Sequence, residues 1–144
     1  MANNFANQMG RVGDLLLVNV SATIRKAAIA AASEAVRRTP VKTGRARVNW
    51  KVSFGAPKGG VVEGPDTDNR QTNAQVAATK ALINASNAIK NWKVGKGHIF
   101  IANAVSYIGD LDSGTSRQAP AGMTVFAVAS ARDILRRGKL LRGR

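Results

Sequence analysis

Apolar residues recur every three or four positions in three segments of the chain, a pattern that predicts amphipathic helices. The first predicted helix begins at Asp14, which can cap it, and runs for about 25 residues. It must end near Arg38, because Pro40 disfavours helical geometry at Thr39 and lacks a backbone donor. Its packed face is predicted to contain Leu17, Val20, Ile24, Ala28, Ala31 and Ala35.

The second and third predicted helices lie in the other half of the chain. The second has about 19 residues between Thr72 and Gly95, and the third begins near Pro120, which suits a first helical turn. The packed face of the second is predicted to contain Ala74, Ala78, Leu82, Ala85, Ile89 and Trp92, with Trp92 docking its end. That of the third is predicted to contain Met123, Phe126, Ala127, Ser130 and Ile134.

Period-two alternation marks a strand at residues 48–54, where apolar residues alternate with Asn, Lys and Ser. Residues 55–60 form a predicted turn, and residues 61–63 are a candidate partner strand that completes a hairpin. Residues 98–105, rich in Ile, Phe and Val, predict a largely buried strand. This order predicts an α+β fold, with a small mixed or antiparallel sheet packed against a long N-terminal helix, a middle helix and a C-terminal helix.

The same patterns predict one folded domain with two appendages. Residues 1–12 are polar and are predicted to be a flexible N-terminal arm, ordered by a partner or not at all. Residues 13–137 form the single α+β domain, and residues 138–144 form a basic C-terminal tail. Within the domain, residues 107–119 predict a long loop, and loops of this length are more often functional than decorative.

Composition narrows the class of protein. The chain has 144 residues with 22 Lys+Arg and 8 Asp+Glu, a formal net charge of +14. There is no cysteine, which excludes disulfides and thiolate chemistry and suits a reducing cytoplasm. The uninterrupted apolar runs are far shorter than the roughly 20 residues that span a bilayer, so no membrane association is expected.

Candidate catalytic and ligand-binding groups are sparse. The single histidine, His98, lies in a predicted strand without nearby acidic residues, which favours a structural role. Gly95-Lys96-Gly97 lacks the spacing of a phosphate-binding loop. Asp110 and Asp112 lack the regular acidic spacing of a calcium loop. We therefore expect no enzyme activity, no cofactor and no metal site.

Positive charge is the strongest chemical signal. Seven basic residues and no acidic one lie in the segment from Arg37 to Lys58. From Arg132 onward there are six basic residues, counting Arg132, against the single Asp133. Such patches attract phosphate backbones without reading sequence, although they also serve solubility or contact with acidic proteins. The residues predicted to face DNA or a partner are Arg37, Arg38, Arg45, Arg47, Arg136, Arg137, Lys139, Arg142 and Arg144.

Two segments carry a family resemblance when they are taken together. One is residues 39–45 (TPVKTGR); the other is Tyr107 with residues 111–120 (LDSGTSRQAP), followed by Ala-Gly-Met123. The pair resembles the tailed-bacteriophage proteins of the head-to-tail interface, variously called neck, tail-completion or minor tail proteins. The sequence departs from that pattern at Lys42, where an acidic residue is common, and at Asp112, where glutamate is usual.

The resemblance implies a structural virion protein at the head-tail junction, assembled in the host cytoplasm. Such a protein forms a homo-oligomeric ring, most plausibly sixfold, between the head connector and the tail terminator or tail tube, and lets double-stranded DNA pass. Neck and tail-terminator roles are both open, and the alternative function is a small basic protein that binds nucleic acid nonspecifically. The implied subunit-interface or turn residues are Thr39, Pro40, Thr43, Gly44, Arg45, Tyr107, Asp112, Gly114, Thr115, Ser116 and Pro120.

The two motifs also have a physical interpretation. Pro40 and Gly44 allow a sharp turn from helix to strand, where the hydroxyl of Thr39 or Thr43 can satisfy freed backbone groups. Arg45 and Arg47 are then expected to face outward. In the second motif, Asp112, Ser113 and Thr115 are expected to bond backbone amides of their own loop, while Gly114 supplies a backbone angle that other residues avoid.

Overall fold

The computed structural model describes residues 2–118 and 121–138, with side chains from Asn4 onward. It confirms an α+β fold, with helices before, between and after two strands. The elements are α1 (Ala2–Arg38), α2 (Arg45–Val48), β1 (Trp50–Phe54), α3 (Arg70–Ile89), β2 (Ile99–Asn103), α4 (Ile108–Asp112) and α5 (Met123–Arg137).

The long helix α1 is the centre of the fold. Helix α5 packs along it, while α3 and the sheet contact it as well. Its alanines allow close approach, and they form two apolar clusters with residues from the other elements. One cluster contains Ala28, Ala32, Val52, Ala85, Ile89 and Trp92. The other contains Ala31, Ala35, Val36, Trp50, Ala81 and Ala127.

Strands β1 and β2 form a two-stranded antiparallel sheet, in which Trp50 lies opposite Asn103 and Phe54 opposite Ile99. The predicted hairpin with residues 61–63 is therefore wrong. Instead of a strand, the side chain of Asn49 pairs with Val62: its Oδ1 accepts from the Val62 amide at 2.8 Å, and its Nδ2 donates to the Val62 carbonyl at 2.7 Å. A buried amide group thus replaces the predicted ladder.

Helix α1 ends at Arg38 as predicted, but it starts at Ala2 rather than at Asp14. Residues 2–12, which belong to the predicted flexible arm, continue the helix. Leu17, predicted to pack, is half exposed. By length and composition alone α1 could cross a membrane, with a window of mean hydropathy 1.5, although 28% of that window is buried within the fold.

Smaller corrections concern the ends of elements. The first strand begins at Trp50 because the preceding residues form the single turn of α2, with Gly44 in a left-handed conformation at its N-terminus. Helix α4 interrupts the predicted loop over residues 107–119. Phe54 and Phe126 are more exposed than predicted. On α3 the buried stripe is shifted to Asn73, Ala77, Ala81, Ala85 and Ile89.

Trp92 docks the end of α3 as predicted. It is buried, and its indole Nε1 donates to the carbonyl of Gly97 at 3.0 Å. Its own carbonyl accepts from the guanidinium of Arg25 at 2.6 Å, which joins this end of α3 to α1.

Candidate functional site

The two sequence motifs meet at one cleft. Residues 40–46, from the first motif, form one wall, and the second motif supplies the other. The amide of Val41 donates to Oε1 of Gln118 at 3.1 Å, which joins the two motifs directly. The cleft has a volume of about 170 Å³, and its second wall is lined by Tyr107, Leu111, Ser116 and Gln118.

Thr39 anchors the first motif to the core. It is buried, and its Oγ1 donates to the carbonyl of Ala35 at 2.6 Å and accepts from Trp50 Nε1 at 2.7 Å. The same oxygen lies 3.3 Å from the sulfur of Met123, the first residue of α5. The hydroxyl of Thr43 accepts from the Arg45 amide at 3.4 Å. Both threonines therefore satisfy or bridge groups at the turn, as predicted.

The turn packs tightly against the loop that leads into α3. Gly44 has a φ of 80°, and a Cβ there would lie 2.9 Å from the Ala77 side chain. A Cβ on Gly64 would lie 2.3 Å from the carbonyl oxygen of Thr43. Two glycines thus allow two backbone segments to touch.

Buried Asn73 ties the same turn to α3. Its Nδ2 donates to the carbonyls of Lys42 (3.0 Å) and Thr67 (2.9 Å). Its Oδ1 accepts from the amide (2.8 Å) and the hydroxyl (2.6 Å) of Thr67. The Asn73 side chain therefore holds the first wall of the cleft against the loop that precedes α3.

Arg47 differs from its predicted role. Its guanidinium turns inward and donates to the carbonyls of Arg37 (3.1 Å), Thr39 (2.7 Å) and Ala74 (3.4 Å). It thereby satisfies carbonyls at the C-terminal end of α1, and burial lowers its pKa. Arg45 is more exposed and lies 3.6 Å from Glu63. Arg47 is a structural group rather than a free surface charge.

The second motif holds the start of α5. The carboxylate of Asp112 accepts from the amide (3.0 Å) and the hydroxyl (2.6 Å) of Thr124. Ser113 and Thr115 donate to the carbonyl of Asp110, so the prediction that these three side chains accept from amides of their own loop is wrong. Gly114 has a φ of 92°, as its predicted role requires.

We expect Asp112→Ala to lower the free energy of unfolding by about 1 kcal/mol, because α5 loses an N-terminal acceptor and a favourable negative charge. Urea denaturation followed by circular dichroism measures the change. Asp110→Asn is the control, since it removes a neighbouring charge but keeps the carbonyl that Ser113 and Thr115 contact. Equal losses in both variants would contradict the capping role.

The predicted basic residues separate into two places. Arg37, Arg38 and Arg47 line a groove of about 530 Å³ with Arg70, and this groove shares Pro40, Val41 and Gln118 with the cleft. Arg136 lies on the outer face of α5, and Arg137 pairs with Asp133 at 2.9 Å. Pro120, Lys139, Arg142 and Arg144 lie outside the described residues.

Glu34 neutralises part of the arginine groove. Its carboxylate accepts hydrogen bonds from Arg37, at 2.7 Å, and from Arg38, which lower its pKa. The guanidinium of Arg38 also stacks over the ring of Phe126, 3.5 Å from its centroid. The stacking fixes Arg38 between α1 and α5.

Glu34→Gln should lower the free energy of unfolding at neutral pH by less than about 1 kcal/mol, since the pair is near the surface. A lowered pKa means that the ionised form favours folding, so this contribution is present above the usual glutamate pKa and disappears as the pH falls through the lowered one. Urea denaturation at pH 7 and pH 3 should therefore show a larger difference between wild type and variant at pH 7 than at pH 3. Glu63→Gln is the control, because Glu63 is 81% exposed. An equal effect of both variants would contradict the prediction.

The single histidine of the sequence lies just before β2. His98 is exposed, and its carbonyl accepts from the amide of Gly55 at 2.9 Å beside the sheet. Among residues 2–118 and 121–138, no cluster of three histidine or acidic side chains could hold a metal ion. Four residues that hold this region together were not among the predicted site residues: Asn49, Gly64, Asn73 and Gln118.

Comparison with known proteins finds no matching family model, no matching curated protein and no matching solved structure.

Proposed function

We propose that this protein is a structural virion component of a tailed phage, a ring subunit at the head-to-tail junction. The observation that carries the proposal is the meeting of the two resembling motifs at one cleft, although they are separated by about 65 residues of chain. Side chains of both motifs form hydrogen bonds with backbone groups and so fix the conformation around the cleft. This suits a surface that must keep its shape when it binds another subunit.

The cleft suits a protein contact better than a small-molecule site. Its volume of about 170 Å³ is below the roughly 300 to 1,000 Å³ of typical ligand pockets. Two residues that line the cleft, Tyr107 and Lys42, are exposed to solvent. Tyrosine is enriched at subunit interfaces, where its ring packs and its hydroxyl stays hydrated. A loop or helix end of a neighbouring subunit is therefore the expected occupant.

In this proposal, subunits contact one another heterologously and close a sixfold ring between the head connector and the tail terminator or tail tube. The arginine groove, whose exposed charges are Arg37 and Arg70, would face either the DNA that passes through the lumen or an acidic neighbouring ring. Neck and tail-terminator roles both fit this arrangement, and neither requires chemistry by the subunit itself.

Copy number in purified, nuclease-treated particles tests the proposal. Quantitative mass spectrometry against the major tail protein should give a small fixed count of about 6 or 12 per particle, as a closed ring requires. A protein that is not found in particles, or whose count varies between preparations, would overturn it.

The arginine groove supports a second candidate function, nonspecific binding of nucleic acid by the free subunit. Binding to duplex DNA should then weaken steeply with salt, with a log–log slope set by the number of phosphates contacted. Arg37→Glu with Arg70→Glu should reduce affinity and slope. Arg136→Glu with Arg137→Glu is the matched charge control on α5. Equal effects of the two pairs, or no binding at about 50 mM salt, would contradict a binding role for this groove.

A further inference from the structure

The N-terminal part of α1 projects beyond the rest of the fold and carries an uncovered apolar stripe. Phe5, Met9, Val12 and Leu16 recur at spacings of four, three and four residues, and we call this set the arm seam. Phe5 is 67% and Met9 55% exposed. Such spacing is that of the packed face of a two-helix coiled coil. Exposed apolar patches of several hundred Å² mark interaction sites.

The arm seam continues a face that already binds a helix. Thr23 lies two helical turns after Leu16 on the same side of α1, and Gly138 contacts it just beyond the end of α5. Helix α5 begins beside Thr39 and ends beside Thr23, so it runs antiparallel to α1. Among the described residues, the end of α5 and Gly138 cover this face of α1 as far as Thr23. The uncovered remainder has the shape of a helix-docking face.

The distribution of charge along the chain indicates which partner the arm seam can bind. The chain carries +14 overall, but residues 1–24 contain only Arg11 and Asp14 and are neutral. Copies of this protein repel one another through most of their surface and least through this segment. A helix that binds nucleic acid or an anionic lipid surface carries Lys and Arg on its polar face, whereas this one carries Asn4, Asn7 and Gln8.

We propose that the arm seam packs antiparallel against the arm seam of a second copy of this chain. Antiparallel pairing places Met9 of one copy opposite Val12 of the other and keeps the two basic bodies at opposite ends of the pair. Parallel pairing would bring those bodies together. In the antiparallel pair, the arm of the second copy runs along α1 in the same direction as α5 does.

The proposed interface is small, and small interfaces are typical of weak, reversible contacts. Burial of the seam and its flanks in both copies removes roughly 1,000 Å² from water, the low end for specific protein contacts. We therefore expect reversible association in the micromolar range. The pair has twofold symmetry, so it describes the free protein; a sixfold ring needs a heterologous contact instead.

Sedimentation equilibrium of the purified full chain at about 5 to 200 µM, the range in which such an interface associates, tests the pairing. Wild type should rise with concentration from its monomer mass of 15.2 kDa towards twice that value. Met9→Asp should stay at the monomer mass, with unchanged circular dichroism. Asn7→Asp adds the same charge to the polar face and should associate as wild type does. A monomeric wild type, or a dimeric Met9→Asp variant, would overturn the proposal.

Crosslinking tests the geometry, because the chain has no native cysteine. An oxidised mixture of Met9→Cys and Val12→Cys chains should form covalent dimers in higher yield than Met9→Cys alone. Higher yield with Met9→Cys and Val94→Cys would place the arm in the groove at Val94 and overturn seam-to-seam pairing. Stable binding to phosphatidylcholine vesicles by a chain that stays monomeric in solution would show a membrane-binding arm and also overturn it.

This proposal concerns the purified chain and does not depend on the virion role. Copy number in particles tests the virion role, whereas the mass of the free chain tests the arm seam. Failure of one leaves the other intact.

Discussion

Gly64→Ala should lower the free energy of unfolding by about 3 kcal/mol or more, the largest effect of any single methyl group that we expect in this protein. The added Cβ would lie 2.3 Å from the Thr43 carbonyl oxygen and 2.5 Å from the Arg45 amide nitrogen. Both atoms belong to the backbone of the turn motif, so no side-chain rotation relieves the clash. The turn must move away from the loop, and the contacts around the cleft are lost with it.

The measurement is urea denaturation of the full chain, with Gly59→Ala as the matched control. Gly59 lies in the same connection between β1 and α3, and a Cβ there meets nothing within 4 Å. The control should be neutral or slightly stabilising, because alanine restricts the unfolded chain more than glycine does. A Gly64→Ala variant within about 1 kcal/mol of wild type would show that the close approach at the turn is not required.

Asn73→Ala should lower the free energy of unfolding by about 3 kcal/mol, because it removes a side chain that makes four hydrogen bonds in a buried position. The carbonyls of Lys42 and Thr67 then lose their donor. Hydrogen exchange should also accelerate at the amides of Asp66 and Thr67, which bond to the Thr43 carbonyl and to Asn73 itself. The loss should therefore be local as well as global.

Two further variants separate hydrogen bonding from other effects. Asn84→Ala, on an exposed part of the same helix, should be neutral or stabilising, since alanine is the better helix former. Asn73→Asp keeps the size of the side chain but cannot donate to the two carbonyls, so it should be at least as damaging as alanine. A tolerated Asn73→Asp variant would contradict the role of the donated bonds.

Local patterns predicted much of the fold. Pro40 fixed the end of α1, because its geometry forbids a helical residue before it. Alternation around Trp50 and Val52 identified β1. Small residues at helical spacing identified most of the packed face of α1 and, at Ala85 and Ile89, part of that of α3. These signals depend on residues that are close together in the chain, so they can be recognised without the tertiary structure.

What the sequence did not predict depends on contacts between distant residues. In the sequence, Asn49 and Asn73 look like solvent-exposed polar residues. Their roles depend on the fold, which places the backbone of residues 62 and 67 beside them. Arg47 looks like a surface charge, yet three carbonyls surround its guanidinium. The helical arm was missed because its asparagines and glycines are poor helix formers, although Phe5, Met9, Val12 and Leu16 already showed the helical period.

The sequence did not predict that the two motifs meet in the fold. The hydrogen bond between the Val41 amide and Gln118 joins them, and Gln118 stood outside the predicted site residues. A glutamine has no spacing signature of its own, so only the structure identifies it as a contact. The role of these residues at a subunit interface stays a prediction for the particle experiments.

The continuity of α1 has a mechanical consequence. As an unbroken helix of 37 residues it is a rod about 55 Å long, with its free tip in the arm and its other end at Thr39 beside the cleft. A tilt of about 5° around the cleft end moves the tip by roughly 5 Å at that length. A partner that holds the tip can therefore shift the turn at the cleft. A displacement at either end of the helix is transmitted to the other end.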